Sequence, residues 1–140
     1  MVIEWWPSQE HRHAGLSIKI VPSKSQIAGV LAEFVADEKD AEPGSFDVEQ
    51  GDLVSWNNTA PEEHWPWPVR RQNAPPAISL PPGSPVLVTD SVKPNTSSDF
   101  YNVAAPAGTT LFYCCRLHPA ERGRLVVVGF GKSSKDTPTV

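Results

Sequence analysis

"TTLFYCCRLHPAERGRLVVVGF", residues 109–130, decides how the rest of the chain is read. Its two ends, "TTLFYCC" and "GRLVVVGF", are rich in β-branched and aromatic residues and read as strands. A tight loop joins them and carries Cys114, Cys115, His118 and Glu121. The chain has 2 cysteines, and they stand side by side. A bridge between neighbours is strained. Consecutive Cα atoms sit about 3.8 Å apart, whereas a disulfide usually spans about 4.4–6.8 Å. The two thiols therefore read as free groups or as ligands.

Outward from this hairpin, composition sets the class. A chain of 140 residues, 39% hydrophobic and 20% charged, suits one domain with a real core. Its 15 prolines and 9 glycines punctuate it too often for a helical bundle and favour short strands joined by turns. The net charge of −4 predicts no general attraction to nucleic acid or an anionic membrane. No stretch approaches the roughly 18 apolar residues of a membrane span. The start, "MVIEWWPSQEHRHAG", lacks the basic residues and apolar run of a signal peptide. A protein that stays inside the cell, or a mature or trimmed form, would read this way.

"GLSIKIV" (15–21) alternates apolar and polar residues, as a first strand does. "QIAGVLAEFVADEKDAEPG" (26–44) mixes helix and strand formers. It is expected to hold a strand ending in an acidic turn before Pro43 and Gly44. "SFDVEQGDLVSWNN" (45–58) gives two strands broken at Gln50–Gly51–Asp52. The proline-rich segment 58–85 excludes regular helix and reads as a long loop. "VLVTD" (86–90) is expected to be a strand, and so is "DFYNVAA" (99–105), while "SVKPNTSSD" between them is turn-rich. The sum is an all-β, antiparallel Greek-key β-sandwich with a long Pro-rich loop. Residues 1–14 form an N-terminal extension, 15–131 the domain and 132–140 a disordered tail.

Loops cluster at the ends of a sandwich, so a site there draws on several strand ends. Cys115-x-x-His118 places a sulfur and an imidazole on one loop, and His64 follows the strand in "GDLVSWNNTAPEEH". Two imidazoles and a thiolate are the donors a blue-copper site wants, with a weak axial fourth. These two stretches resemble the cupredoxins. "GDLVSWNNTAPEEH" is similar to that family's G-D-x-V-x-W-x-N followed by its first histidine. "PAGTTLFYCCRLHPAERGRLVVV" is similar to its closing half, with the Cys-x-x-His-Pro-x-x-x-Gly rhythm of amicyanin-like and plastocyanin-like members. The resemblance covers roughly residues 45–130.

It implies a cupredoxin-like single-copper electron carrier, not an enzyme, with one ion per chain, held by His64, Cys115 and His118. Glu121 stands where the short-loop members carry an axial methionine, and the only methionine here is Met1. Glu121 is thus either an axial or nearby group, or a solvated carboxylate paired with Arg122 or Arg124. Counting from His118 selects Cys115 as the thiolate, while counting from the "AGT" turn selects Cys114. Strand alternation leaves both open, because both faces look apolar. Asn57, Trp65, Trp67 and Pro119 are expected around the site or on a docking rim. His11 and His13 read as an exposed pair that meets metal only adventitiously. Redox proteins are the implied partners and a periplasmic or other extracytoplasmic setting the implied location. Two alternatives stand beside this: a carboxylate-ligated red copper protein resembling nitrosocyanin, with a catalytic or sensing role, and a metal-free β-sandwich binding module.

Overall fold

Side chains that alternate in and out along each strand lay out the core, and the computed structural model shows where they meet. It describes residues 15–24, 27–36, 44–76 and 84–129. The N-terminal extension with His11 and His13, the acidic turn before Pro43 and the C-terminal tail lie outside these residues. Among them run nine strands: β1 (Gly15–Pro22), β2 (Ala32–Val35), β3 (Ser45–Glu49), β4 (Leu53–Asn58), β5 (Pro66–Val69), β6 (Thr96–Ser97), β7 (Tyr101–Asn102), β8 (Thr110–Cys115) and β9 (Arg122–Val128). They build a five-stranded sheet, β2-β1-β4-β6 with β7 also on β4, and a four-stranded sheet, β3-β9-β8-β5.

The protein is an all-β sandwich, as its turn-rich sequence predicts. The sheets are mixed rather than wholly antiparallel. Strands linked by a short reversal, β1–β2 and β8–β9, pair antiparallel. Strands β1 and β4, and β3 and β9, pair parallel. Between the members of each of these pairs the chain crosses to the opposite sheet and back, which lets the second member return in the same direction.

Ile18 and Ile20 of β1, Phe34 of β2, Phe46 and Val48 of β3, Val54 and Trp56 of β4, and Leu125 and Val127 of β9 fill the space between the sheets. At its centre is Tyr113 of β8, edge-on to Phe34 (5.1 Å) and Trp56 (5.5 Å). Its hydroxyl accepts the Trp56 indole N–H at 3.3 Å, so the buried oxygen is paired. The ring lies across Gly123, its partner in register on β9. A Cβ at position 123 would come within 2.4 Å of the Tyr113 ring, so only glycine fits there. The expected break after β3 is also present. Gly51 turns the chain at a φ of +97°, and Asp52 accepts the Glu49 N–H at 2.8 Å.

Three expectations change. The Pro-rich segment is not all loop: Pro66–Val69 pairs with β8. The Trp65 carbonyl accepts the Arg116 N–H. By alternation, residues 65, 67 and 69 face β8, which leaves the nitrogens of Pro66 and Pro68 on the open edge of the sheet, where proline is tolerated. "VLVTD" is irregular instead of a strand. Leu87 and Val88 are adjacent and both buried, and residues 86–90 belong to neither sheet. "DFYNVAA" shrinks to the two residues of β7, and the polar stretch before it supplies β6.

Candidate metal centre

The inner face of β8 ends in Cys115, two residues beyond Tyr113. Cys114 points the other way, level with Trp67 and Arg122 in the ladder. Both thiols are buried, but Cys115 alone of the two joins the central core cluster. Burial pushes the Cys114 thiol up to about 11, against a lowering by Arg122, and the neighbouring Cys115 and Glu121 raise it further.

Beyond Cys115 the chain folds back through two linked turns. The His118 N–H donates to the Cys115 carbonyl at 3.1 Å, and the Glu121 N–H to the His118 carbonyl at 2.9 Å. The Cys115 N–H closes the loop on the Glu121 carbonyl at 2.9 Å. Each three-residue step is one turn, so the spacing Cys-x-x-His-x-x-Glu stacks three side chains at one end of the sandwich.

His64 arrives from the other sheet. Asn58, buried at the end of β4, donates through Nδ2 to the carbonyls of Glu62 (2.7 Å) and Val92 (2.9 Å). Its Oδ1 accepts the Ala60 N–H at 2.9 Å. His64 and Val92 exchange backbone hydrogen bonds of 3.2 and 2.8 Å. The loop that carries His64 is thus held at both ends, and the imidazole is fully buried.

The donors converge. One ligand-type atom each from His64, Cys115, His118 and Glu121 lies within 4.8 Å of all the others. Cys115 Sγ is 3.4 Å from His118 Nδ1 and 3.7 Å from His64 Nδ1. Glu121 Oε1 is 2.9 Å from His64 Nδ1 and 3.5 Å from His118 Nδ1. The Trp65 N–H donates to Cys115 Sγ at 3.3 Å.

Glu121 is buried, not solvated. Its Oε2 accepts the Leu31 and Ala32 N–H groups at 2.7 and 2.9 Å, from the start of β2. The arginines that were candidate partners lie elsewhere: Arg122 donates to the Ala74 carbonyl and Arg124 to Ser45 Oγ. Burial alone would raise the Glu121 pKa. Hydrogen bonds from His64 and the Leu31 amide, and the charges of His64 and His118, hold it below the usual carboxylate range. Burial pulls His64 down, but its hydrogen bonds to Cys115, Glu121 and Glu62 outweigh that and push it up to about 10.

Asn57 is not at the site. Its Oδ1 accepts from Ser97 Oγ on the outer face, and Asn58, one residue on, does the tethering. Trp65 touches Cys115 through its backbone and meets Trp67 edge to face at 5.3 Å. Arg116 caps both indoles, 4.9 and 4.3 Å from their centres. Pro119 is exposed beside His118, whose side chain is 21% accessible. Leu117 and Leu31 are also exposed, and a side chain at Gly29 would meet Ala120.

Two features were missed in the sequence. The Leu31 and Ala32 amides are backbone groups without a sequence signal. Glu62 bonds His64 Nε2 at 2.8 Å, and a carboxylate two residues before a candidate ligand was a signal available to be read.

Two imidazoles, a thiolate and a fourth donor fit a cupredoxin-type site. No protein-family model and no curated protein matches the chain. Solved structures similar to it include a mutant of amicyanin in its Cu(I) form, at 19% identity, TM-score 0.46 and 81% of each chain covered. A purple cupredoxin from Nitrosopumilus maritimus aligns at 13% identity and TM-score 0.48, over 80% of this chain and 98% of its own. The multicopper oxidase mgLAC aligns at 16% identity and TM-score 0.46, over 84% of this chain and 39% of its own.

Proposed function

We propose that this chain is a copper-binding electron-transfer protein that holds one ion per chain and cycles it between Cu(I) and Cu(II). The observation that carries this is the convergence of His64, Cys115, His118 and Glu121 from two sheets onto one point. The donors fit the group. Metal–nitrogen and metal–sulfur bonds of about 2.0–2.3 Å imply donor–donor edges of roughly 3.3–3.7 Å in a tetrahedral shell. The sulfur–nitrogen separations are 3.4 and 3.7 Å.

In this reading His64, Cys115 and His118 hold the ion and Glu121 offers a fourth donor, an oxygen. Copper supplies a centre that gains and loses one electron, and the electron comes from and goes to redox protein partners. The scaffold's part is to keep the donors in place in both states. His64 is anchored by its bridge to Val92, Cys115 by β8 and Glu121 by the two β2 amides. His118 reaches the surface, and the rim of Leu117, Pro119 and Leu31 offers partners an apolar place to dock. The working unit is the domain over residues 15–131, in an extracytoplasmic setting.

Glu121 also favours a second reading, a carboxylate-ligated red copper protein, because its Oε1 faces both imidazoles. One equivalent of Cu(II) added to the metal-free protein separates them. Intense absorption at the blue-copper band supports the carrier. A band moved to higher energy supports the carboxylate-ligated site. Absence of any thiolate-to-copper band removes both and leaves a metal-free binding module.

A further inference from the structure

Glu62 lies outside the donor cluster, on the far side of the His64 ring. Its Oε1 is 2.8 Å from His64 Nε2, the nitrogen that points away from Cys115 and Glu121. We infer that Glu62 is a positioning residue: it anchors the His64 ring through Nε2 and lowers the reduction potential of copper held at Nδ1. This rests on the copper reading of the site.

The geometry leaves the ring little freedom. His64 is fully buried, and each ring nitrogen has a carboxylate partner, Glu121 on Nδ1 and Glu62 on Nε2. An acceptor at Nε2 keeps a hydrogen there, so that Nδ1, once a metal displaces its own proton, is the nitrogen that donates a lone pair. Glu62 itself is anchored, since its carbonyl accepts from the buried amide of Asn58 at 2.7 Å. Its side chain is 34% exposed, so water screens part of its charge but does not displace it from His64.

The direction of the effect follows from charge. A carboxylate hydrogen-bonded to the remote nitrogen makes the imidazole a stronger donor and adds negative charge near the ion. Both stabilise the higher-charged Cu(II) over Cu(I). Such outer partners typically contribute about 10–100-fold in metal affinity. If the loss falls on Cu(II) alone, each tenfold corresponds to about 59 mV in a one-electron potential.

The test compares wild type, Glu62→Gln and Glu62→Leu as copper-loaded proteins, by redox titration and Cu(II) competition. Glu62→Gln keeps an acceptor and loses the charge, so its potential should rise while Cu(II) binding weakens little. Glu62→Leu loses both, so its potential should rise further and its Cu(II) affinity should fall about 10–100-fold. A third readout needs no metal: the protected His64 Nε2–H proton seen by NMR should persist in Glu62→Gln and vanish in Glu62→Leu. Wild-type potential and affinity in both variants overturn the inference. If wild type itself gives no thiolate-to-copper band, the copper reading fails with the redox part of the inference. The NMR signal then decides the anchoring part, and its survival in Glu62→Leu overturns that too.

Discussion

Cys115 shares the inner face of β8 with Tyr113, and its sulfur lies among two imidazoles and the Trp65 amide. Cys114 is level with Trp67 and Arg122 on the other face. Cys115→Ser should therefore abolish the thiolate-to-copper band, because a hydroxyl cannot give it. Cys114→Ser should leave the band nearly intact, and visible spectra of the two copper-loaded variants check this. A lost band in Cys114→Ser alone would reverse the assignment. Glu121→Met separates two effects in one variant. A thioether is softer and neutral, so the potential should rise if the carboxylate faces copper. The Leu31 and Ala32 amides would also lose their acceptor, and the metal-free protein should lose about 1–3 kcal/mol. Lost stability with an unchanged potential would make Glu121 a structural carboxylate that never meets the ion. His64 sets a pH dependence. Its pKa rises from 6.5 to about 10 on folding. The stability this lends the metal-free protein is present in full below about 6.5 and fades as pH rises towards 10. Urea melts across that window should show it, and His64→Gln should flatten the slope.

At the scale of elements, β8 and β9 depend on one missing side chain. Tyr113 lies over Gly123, and a methyl group there would overlap its ring. The obstacle is a fully buried ring held edge-on against Phe34 and Trp56, with its hydroxyl tied to the Trp56 indole, so it does not swing away freely. Gly123→Ala should cost about 1–3 kcal/mol as an overpacked core does, and move Cys115 and His118, which follow Tyr113 on the same hairpin. A denaturant midpoint equal to wild type would show that the ring yields. The same hairpin was legible in the sequence because β-branched residues and the Cys-x-x-His-x-x-Glu spacing are local. His64 was legible because it follows a strand. What escaped was non-local or carried by backbone. Pro66 and Pro68 read as strand breakers, yet an edge strand presents them outward. Leu87 and Val88 look like a strand, yet both turn inward beside Trp65, whose indole N–H donates to the Val88 carbonyl at 3.0 Å. Asn57 and Asn58 are adjacent in the sequence, and only the pleat decides which one faces the loop. The Glu121 latch joins residues 89 and 90 positions apart in the chain.

For the whole molecule, the candidate centre is where the two sheets meet. His64 leaves the five-stranded sheet after β4, and Glu121 reaches back to that same sheet through the first amide of β2. Cys115 belongs to the four-stranded sheet. An ion bound by all of them would fasten one sheet to the other, adding to the hydrogen bonds, the His64–Glu121 pair and the core packing that already join them. The core is built from other side chains, since Ile18, Phe34, Trp56, Tyr113 and Leu125 are buried against one another and none of them is a metal donor. The metal-free protein should therefore fold, and copper should stabilise it further. Free copper at 100 times its dissociation constant adds about 2.7 kcal/mol. For a domain of this size that is a rise in Tm of roughly 5–20 °C. Calorimetry with and without copper measures it, and a chelator should return the lower value. Cys115→Ser, which removes the four-stranded sheet's innermost donor, should lose most of the increase while keeping the metal-free Tm near wild type. An equal rise in Cys115→Ser would mean that copper binds elsewhere on the chain, and the two sheets would then be joined at this end by their hydrogen bonds and packing, without the ion.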